Sequence, residues 1–298
     1  MLKLKDIISE IKYSSFIGAE ETRIEKLAPA KDFQNFTSAT LCWVSKKHEA
    51  IISDIKSGSI ICGQDVDSSL LKDNCNYILV KDPRNTFSEI INKFFKKQDP
   101  VGISKSAKIE EDVQVGQNVW LGENVVIESG CIIGDNVKIS HNSVIKSETI
   151  IEENVTIGSN TTIGGVGFGY EKDEKGFFYL INHIGNVVLK RNVEIGNNVC
   201  IDRAVLGSTL LGENVKVDNL VHIAHGVDIG ENSVVIANAM VAGSVEIGAN
   251  TWVAPSSSIL NGLKIGSDTL IGIGAVVRKN VEDSDIIVGN PGKSIKRK

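Results

Sequence analysis

From residue 103 onward, every sixth position of the chain is aliphatic: Ile103, Ile109, Val115, Leu121, Ile127, Ile133, Ile139, Ile145, Ile151, Ile157 and Ile163. Two residues before each stands a small or β-branched residue, and Gly or Asn often follows, as in VQVGQN, VWLGEN and VTIGSN. The register returns at Leu189, Ile195 and Ile201, shifts by four residues through DRAVLGSTLL, and runs on from Leu211 to Val277, giving 26 hexads in all. A helix buries residues at a period near 3.6 and a half-buried strand at a period of two, so neither explains one strongly apolar position in six. A triangular parallel β-helix does. Each hexad is a short strand plus a turn, three hexads make one coil, and the aliphatic residue points into the prism. Gly and Asn suit the corners because they tolerate positive φ. At roughly 4.8 Å per coil, 26 hexads give about eight to nine coils and a prism on the order of 40 Å long.

Residues 1–98 lack the repeat and carry six of the nine phenylalanines. Short apolar runs (TLCWVS, SGSIICG, NYILVKD) alternate there with helical patterns (KLKDIISEIK, RNTFSEIINKFFKK), which predicts a small α/β domain ending near Gln98, Asp99 and Pro100. Such a domain either binds a ligand or caps the first coil. The prism is predicted over 101–288 and a basic tail over 289–298. Between Ile163 and Leu189 the repeat is broken by an insertion, 164–186, that collects Phe168, Tyr170, Phe177, Phe178, Tyr179 and His183. A loop leaving a solenoid corner often lies on the binding face; the alternative is an aromatic hairpin packed on its own prism.

Composition narrows the function. The 298 residues are 42% hydrophobic and 23% charged, with a net charge of -5, so no global cationic field favours nucleic acid or an anionic membrane. Five cysteines scattered without CxxC spacing fit a reducing cytoplasm. The first residues carry charges at Lys3, Lys5, Asp6, Glu10 and Lys12, unlike a signal peptide. No apolar run reaches the roughly 18 residues of a membrane span. GGVGFG follows a hexad and opens no helix, so it does not read as a dinucleotide loop. His222 and His225 have no third ligand nearby in sequence, so no resident metal is expected.

Histidines stand at 48, 141, 183, 222 and 225. In KVDNLVHIAHGVDIG, Asp218 follows the inward Val217, and His225 lies two places after the inward Ile223, so both sit at turns. Gly243 holds the same place after Val241, one coil of 18 residues further on, and so stacks over His225. Transfer of an acyl group from a thioester to an amine needs a base for the amine proton and a donor for the tetrahedral oxyanion. His225, a supporting carboxylate from Asp218 and the Gly243 amide could supply these roles; equally, all three could be ordinary polar turn residues.

The stretch from about 164 to 248, with GGVGFGY, the four-residue shift, VDNLVHIAHG and ANAMVAGS, resembles the UDP-3-O-acylglucosamine N-acyltransferase family of lipid A biosynthesis. The resemblance implies a mainly β chain, a left-handed parallel β-helix of hexapeptide repeats with a small N-terminal α/β domain, assembled as a cytoplasmic homotrimer. It implies transfer of a 3-hydroxyacyl group from the phosphopantetheine of acyl carrier protein to the amino group of a UDP-linked amino sugar, without a tightly bound cofactor. His225 would be the base, Asp218 its support and Gly243 the oxyanion donor. Phe168, Tyr170, His222 and Asn219 would contact substrate, and Trp43, Ser45 and His48 would take the place of the family's uridine pocket. The chain departs from the pattern at Val166, where the family is acidic, in LCWVSKKH, and in ILNGLKIG, which lacks the family's second histidine. Its ending, AVVRKNVEDSDIIVGNPGKSIKRK, is more like that of acetyl-CoA-dependent sugar acetyltransferases, which makes Arg278 and Lys279 donor-binding candidates and coenzyme A an alternative donor. An acetyl-CoA-dependent N-acetyltransferase of a UDP- or dTDP-amino sugar, and a non-catalytic scaffold or sugar-nucleotide binder, are the competing readings.

Overall fold

The computed structural model describes residues 2–96 and 100–295 and divides into two compact units, Met1–Asp99 and Pro100–Lys298. Gln98 and Asp99, named for the boundary, and Lys296, Arg297 and Lys298 of the basic tail lie outside the described residues.

In the first unit the three apolar runs become Thr40–Trp43, Gly58–Gly63 and Cys75–Val80, the parallel centre of a five-stranded sheet. Lys26–Leu27 extends it in parallel and Ser15–Ile17 closes the other edge antiparallel. One face packs Leu41, Ile61 and Ile78 against Ile90 of helix Pro83–Ile90; the other packs Ile60 and Tyr77 against Ile52 and Ile55. The N-terminal helix is shorter than its amphipathic pattern predicts, Leu4–Ile8, because Ser9 Oγ–H donates back to Asp6 O (3.0 Å) and the chain turns away.

In the second unit, strands 18 residues apart pair in parallel, as in Val126↔Val144 and Ile127↔Ile145, and build three faces of nine, eight and eleven strands. The interior takes two positions per hexad. Beside the aliphatic residue, the residue two before it is also buried: Val137 with Ile139, Val155 with Ile157. Where that residue is Ser or Thr, its hydroxyl can donate to a backbone carbonyl, as Ser143 does to Gly158 O (2.7 Å), Thr161 to Gly196 O (2.9 Å) and Ser257 to Ala254 O (2.8 Å), which offsets the cost of burying it.

The corners divide labour between Asn and Gly. Positive φ falls mainly to Asn, for example Asn118 at 56°, Asn136 at 58° and Asn154 at 60°. The glycine after the inward aliphatic residue is needed for a different reason, close stacking. A Cβ on Gly158 would lie 2.5 Å from the carbonyl carbon and oxygen of Gly196 on the next coil. Gly158→Ala is therefore expected to lower unfolding stability by about 1–3 kcal/mol, the usual cost of overpacking, readable as a lower midpoint in denaturant.

The two breaks in the repeat leave the prism together. The strand pair Thr162–Gly165 and Cys200–Asp202 is bulged between Ile163 and Gly165. The insertion departs after the first strand, and the four extra residues follow the second, so that Asn186↔Ser208 stand 22 residues apart in register instead of 18. Arg203 ties this corner down, Nε to Gly164 O (2.8 Å) and Nη2 to Ser147 O (2.8 Å). The inserted loop forms a hairpin, Tyr170–Lys172 with Phe178–Leu180, exposed along both strands.

Candidate active site

Ile163, Ile201, Ile223, Val241 and Ile259 stack on one face. The corner that follows them carries, coil by coil, the base of the insertion, Asp202 and Arg203, then His225, Gly243 and Asn261. His225 lies at the turn after the strand His222–Ile223, outside the core, and the backbone around it is fixed: Ala224 N–H donates to Val241 O (2.9 Å) and Ser244 N–H to His225 O (2.9 Å).

A cavity of about 570 Å³ opens there, lined by Phe168, Asp202, His222, His225, Gly243 and Asn261 among others. The His225 imidazole lies close against Gly243: a Cβ on that glycine would be 2.6 Å from both Cε1 and Nε2. No hydrogen bond among the described residues uses the Gly243 N–H, while its neighbours donate to the coils on either side, Ala242 N–H to Ile259 O and Ser244 N–H to His225 O. Burial holds the His225 imidazolium below the usual histidine range, and His183 adds to the effect.

The structure brings some of the expected residues together and separates others. His222 and Phe168 join His225 in the cavity; Phe168, 87% exposed, packs against Tyr170 with ring centroids 4.9 Å apart. Asp218 and Asn219 stand at the preceding corner, across the face that carries His222. Asp218 Oδ1 accepts from Asn219 N–H (2.7 Å) and Oδ2 from Ala237 N–H (3.2 Å), while Asn219 Oδ1 accepts from Asn197 N–H (2.7 Å). Within one chain, then, Asp218 is committed to a corner away from His225. The carboxylate in the cavity is Asp202, with Oδ2 3.6 Å from His222 Nε2. Burial pushes the Asp202 carboxyl up, and the imidazoles of His222 and His183 pull it the other way. Sequence spacing missed Asp202 because the register shift moves it; the signal was DRAVLGSTLL itself.

His183 returns from the hairpin to stand beside His225, ring centroids 5.2 Å apart and nearly perpendicular. Asn261 occupies the site one coil above Gly243 and also lines the cavity.

In the N-terminal unit, Trp43 packs against Phe87 and the core (6.4 Å between rings), while Ser45 Oγ and His48 Nδ1 are 3.1 Å apart at the surface. Arg278 and Lys279 line a second cavity of about 470 Å³ together with Lys293, which the chain places there through an antiparallel return, Lys293–Ser294 on Ile286–Val288. Of the five cysteines, all unpaired, only Cys200 is exposed. Among the described residues no helix is long and apolar enough to cross a membrane, and no cluster of three or more His, Cys, Asp and Glu residues could hold a metal ion.

Comparison with known proteins agrees with this architecture. The family model for bacterial transferase hexapeptide (six repeats) matches residues 112–147 and 130–165. The chain is 43% identical over 215 residues to the UDP-3-O-acylglucosamine N-acyltransferase of Campylobacter lari, covering 68% of this chain and 66% of that one, just under two thirds of the relative's length. It is 35% identical over 254 residues to UDP-3-O-acylglucosamine N-acyltransferase 1 of Legionella pneumophila, covering 78% of this chain and 70% of the relative. Among solved structures, a UDP-N-acetylglucosamine acyltransferase from Campylobacter jejuni superposes with a TM-score of 0.59 at 26% identity, over 65% of this chain and 73% of the other. The fold is the left-handed parallel β-helix of hexapeptide repeats. By sequence and fold, the chain belongs to the UDP-3-O-acylglucosamine N-acyltransferase family.

Proposed function

We propose that this protein transfers an acyl group from a carrier thioester to the 2-amino group of a UDP-linked 3-O-acylglucosamine, as in lipid A biosynthesis. The observation that carries the reading is the His225 imidazole set against the α-carbon of Gly243, whose N–H is unused. The amine nitrogen attacks the thioester carbonyl carbon and its proton passes to His225. The electron pair of the carbonyl moves to oxygen, where the Gly243 N–H receives it. As the carbonyl re-forms, the C–S bond breaks and the sulfur leaves as thiol, taking the proton from the imidazolium. No proton is gained or lost overall. A base of this kind must be neutral before attack, and burial of His225 favours the neutral ring.

His222 faces the reacting centre, with Asp202 to orient it, and Phe168 and Tyr170 offer aromatic surface to the sugar nucleotide at the cavity mouth. We assign Asp218 and Asn219 to holding the preceding corner. In the N-terminal unit Ser45 and His48 are the polar candidates for the uridine, since Trp43 is spent on packing. Arg278, Lys279 and Lys293 suit a phosphate, which both acyl carrier protein and coenzyme A would bring. A homotrimer is supported by an exposed apolar column, Trp252 on Leu270 in register, 50% and 39% exposed. The cytoplasm is the compartment consistent with the free cysteines.

The donor is decided by incubating UDP-3-O-acylglucosamine with hydroxyacyl carrier protein or acetyl-CoA and reading the acceptor's mass. Gain of a hydroxyacyl mass from the carrier protein alone is the expected outcome. Gain of an acetyl mass alone would replace the lipid A reading by the acetyltransferase one.

A further inference from the structure

His183 is 7% exposed, and the mechanism above gives it no role. Its Nδ1 lies 2.7 Å from Ile181 O. A carbonyl oxygen can only accept, so Nδ1 carries the hydrogen, and the neutral ring presents a bare lone pair at Nε2. That atom is buried and is the one buried side-chain polar atom without a partner among the described residues. It points across Gly167 at His225: a Cβ on Gly167 would lie 2.8 Å from His183 Nε2, 2.9 Å from His225 Cβ and 3.0 Å from His225 Cδ2. Only a glycine there lets the two rings share the space.

We propose that His183 is a positioning residue for His225, the inserted loop delivering a second imidazole that packs on the base and shields it from water. The two rings stand 5.2 Å apart and nearly perpendicular, so His183 keeps water from one side of the His225 ring, and burial there disfavours its charged form. Of the remaining titratable groups, Asp202 feels both His222 and His183, and His222 faces Asp202; neither replaces a ring packed on His225. The consequence for the reaction, which rests on the proposed acyl transfer, is that His225 stays free to accept the amine proton at neutral pH and releases it readily to the departing sulfur.

The test is an NMR titration of the His225 ring in the substrate-free protein, paired with the pH profile of kcat/KM. His183→Asn keeps an N–H that can reach Ile181 O and removes the second imidazole. The expected result is a higher His225 midpoint in this variant, with the acid limb of kcat/KM moving up by the same amount and KM for the acceptor unchanged. Gly167→Ala, which wedges the rings apart, is expected to move the midpoint in the same direction and decides the matter if His183→Asn does not fold. An unchanged His225 midpoint in a folded variant would overturn the proposal. Because the titration needs no substrate, it stands or falls separately from the acyl-transfer reading.

Discussion

Replacing His225 with alanine is expected to lower kcat by roughly 10² to 10⁴, the loss associated with a general base, or about 3 to 5 kcal/mol of barrier. The prism should not notice. The side chain lies at a corner outside the stacked Ile and Val core, and the backbone bonds around it, Ala224 N–H to Val241 O and Ser244 N–H to His225 O, do not involve the imidazole. The thermal midpoint is therefore expected to hold while turnover collapses. The variant should also lose the acid limb of kcat/KM. In the native enzyme that limb should lie below the ordinary imidazole range, because burial of His225 lowers its affinity for a proton. Turnover equal to the native enzyme's would remove His225 from the chemistry.

Gly243→Ala is expected to cost at least about 10² in kcat, within the range seen when an oxyanion donor is lost. The new methyl would sit 2.6 Å from Cε1 and Nε2 of His225, closer than any relaxed contact, so the imidazole must swing out of line with the amine. The same methyl narrows the approach of the thioester oxygen to the Gly243 N–H. Neither effect reaches the core, so folding should persist. Gly158→Ala is the informative contrast: there the obstructing atoms are the backbone of the next coil, and the loss should be in stability, with kcat retained. Steady-state kinetics and denaturant unfolding on the two variants separate a site glycine from a stacking glycine, which the hexad pattern alone makes look alike.

Why the pattern revealed so much is a matter of period. Every coil repeats the same three-strand solution, so the run from Ile103 to Val277 carried the architecture many times over, and the 18-residue spacing of His225 and Gly243 translated directly into a stacked pair. Asp218 illustrates where counting stops. It is seven residues from His225, but one strand intervenes, and a strand in a triangular prism carries the chain to the next corner. Asp202 and His183 were hidden for the opposite reason: both lie where the repeat breaks, so no period could place them. The coincidence of two breaks at one corner was the available signal. In the N-terminal unit, the apolar runs marked strands well, whereas Trp43 turned out to be packed on Phe87, since an aromatic in a short strand pattern is equally consistent with core and ligand contact.

The solved neighbour from Campylobacter jejuni is a UDP-N-acetylglucosamine acyltransferase, and the nitrogen of that sugar is already acylated. The central claim here is transfer to nitrogen by this chain, and the most direct test is the position of the new bond. Product formed from UDP-3-O-acylglucosamine and hydroxyacyl carrier protein would be examined by tandem mass spectrometry and by resistance to mild base. An amide at the 2-amino nitrogen, surviving conditions that cleave esters, is the predicted result; a base-labile ester with the amine left free would contradict it.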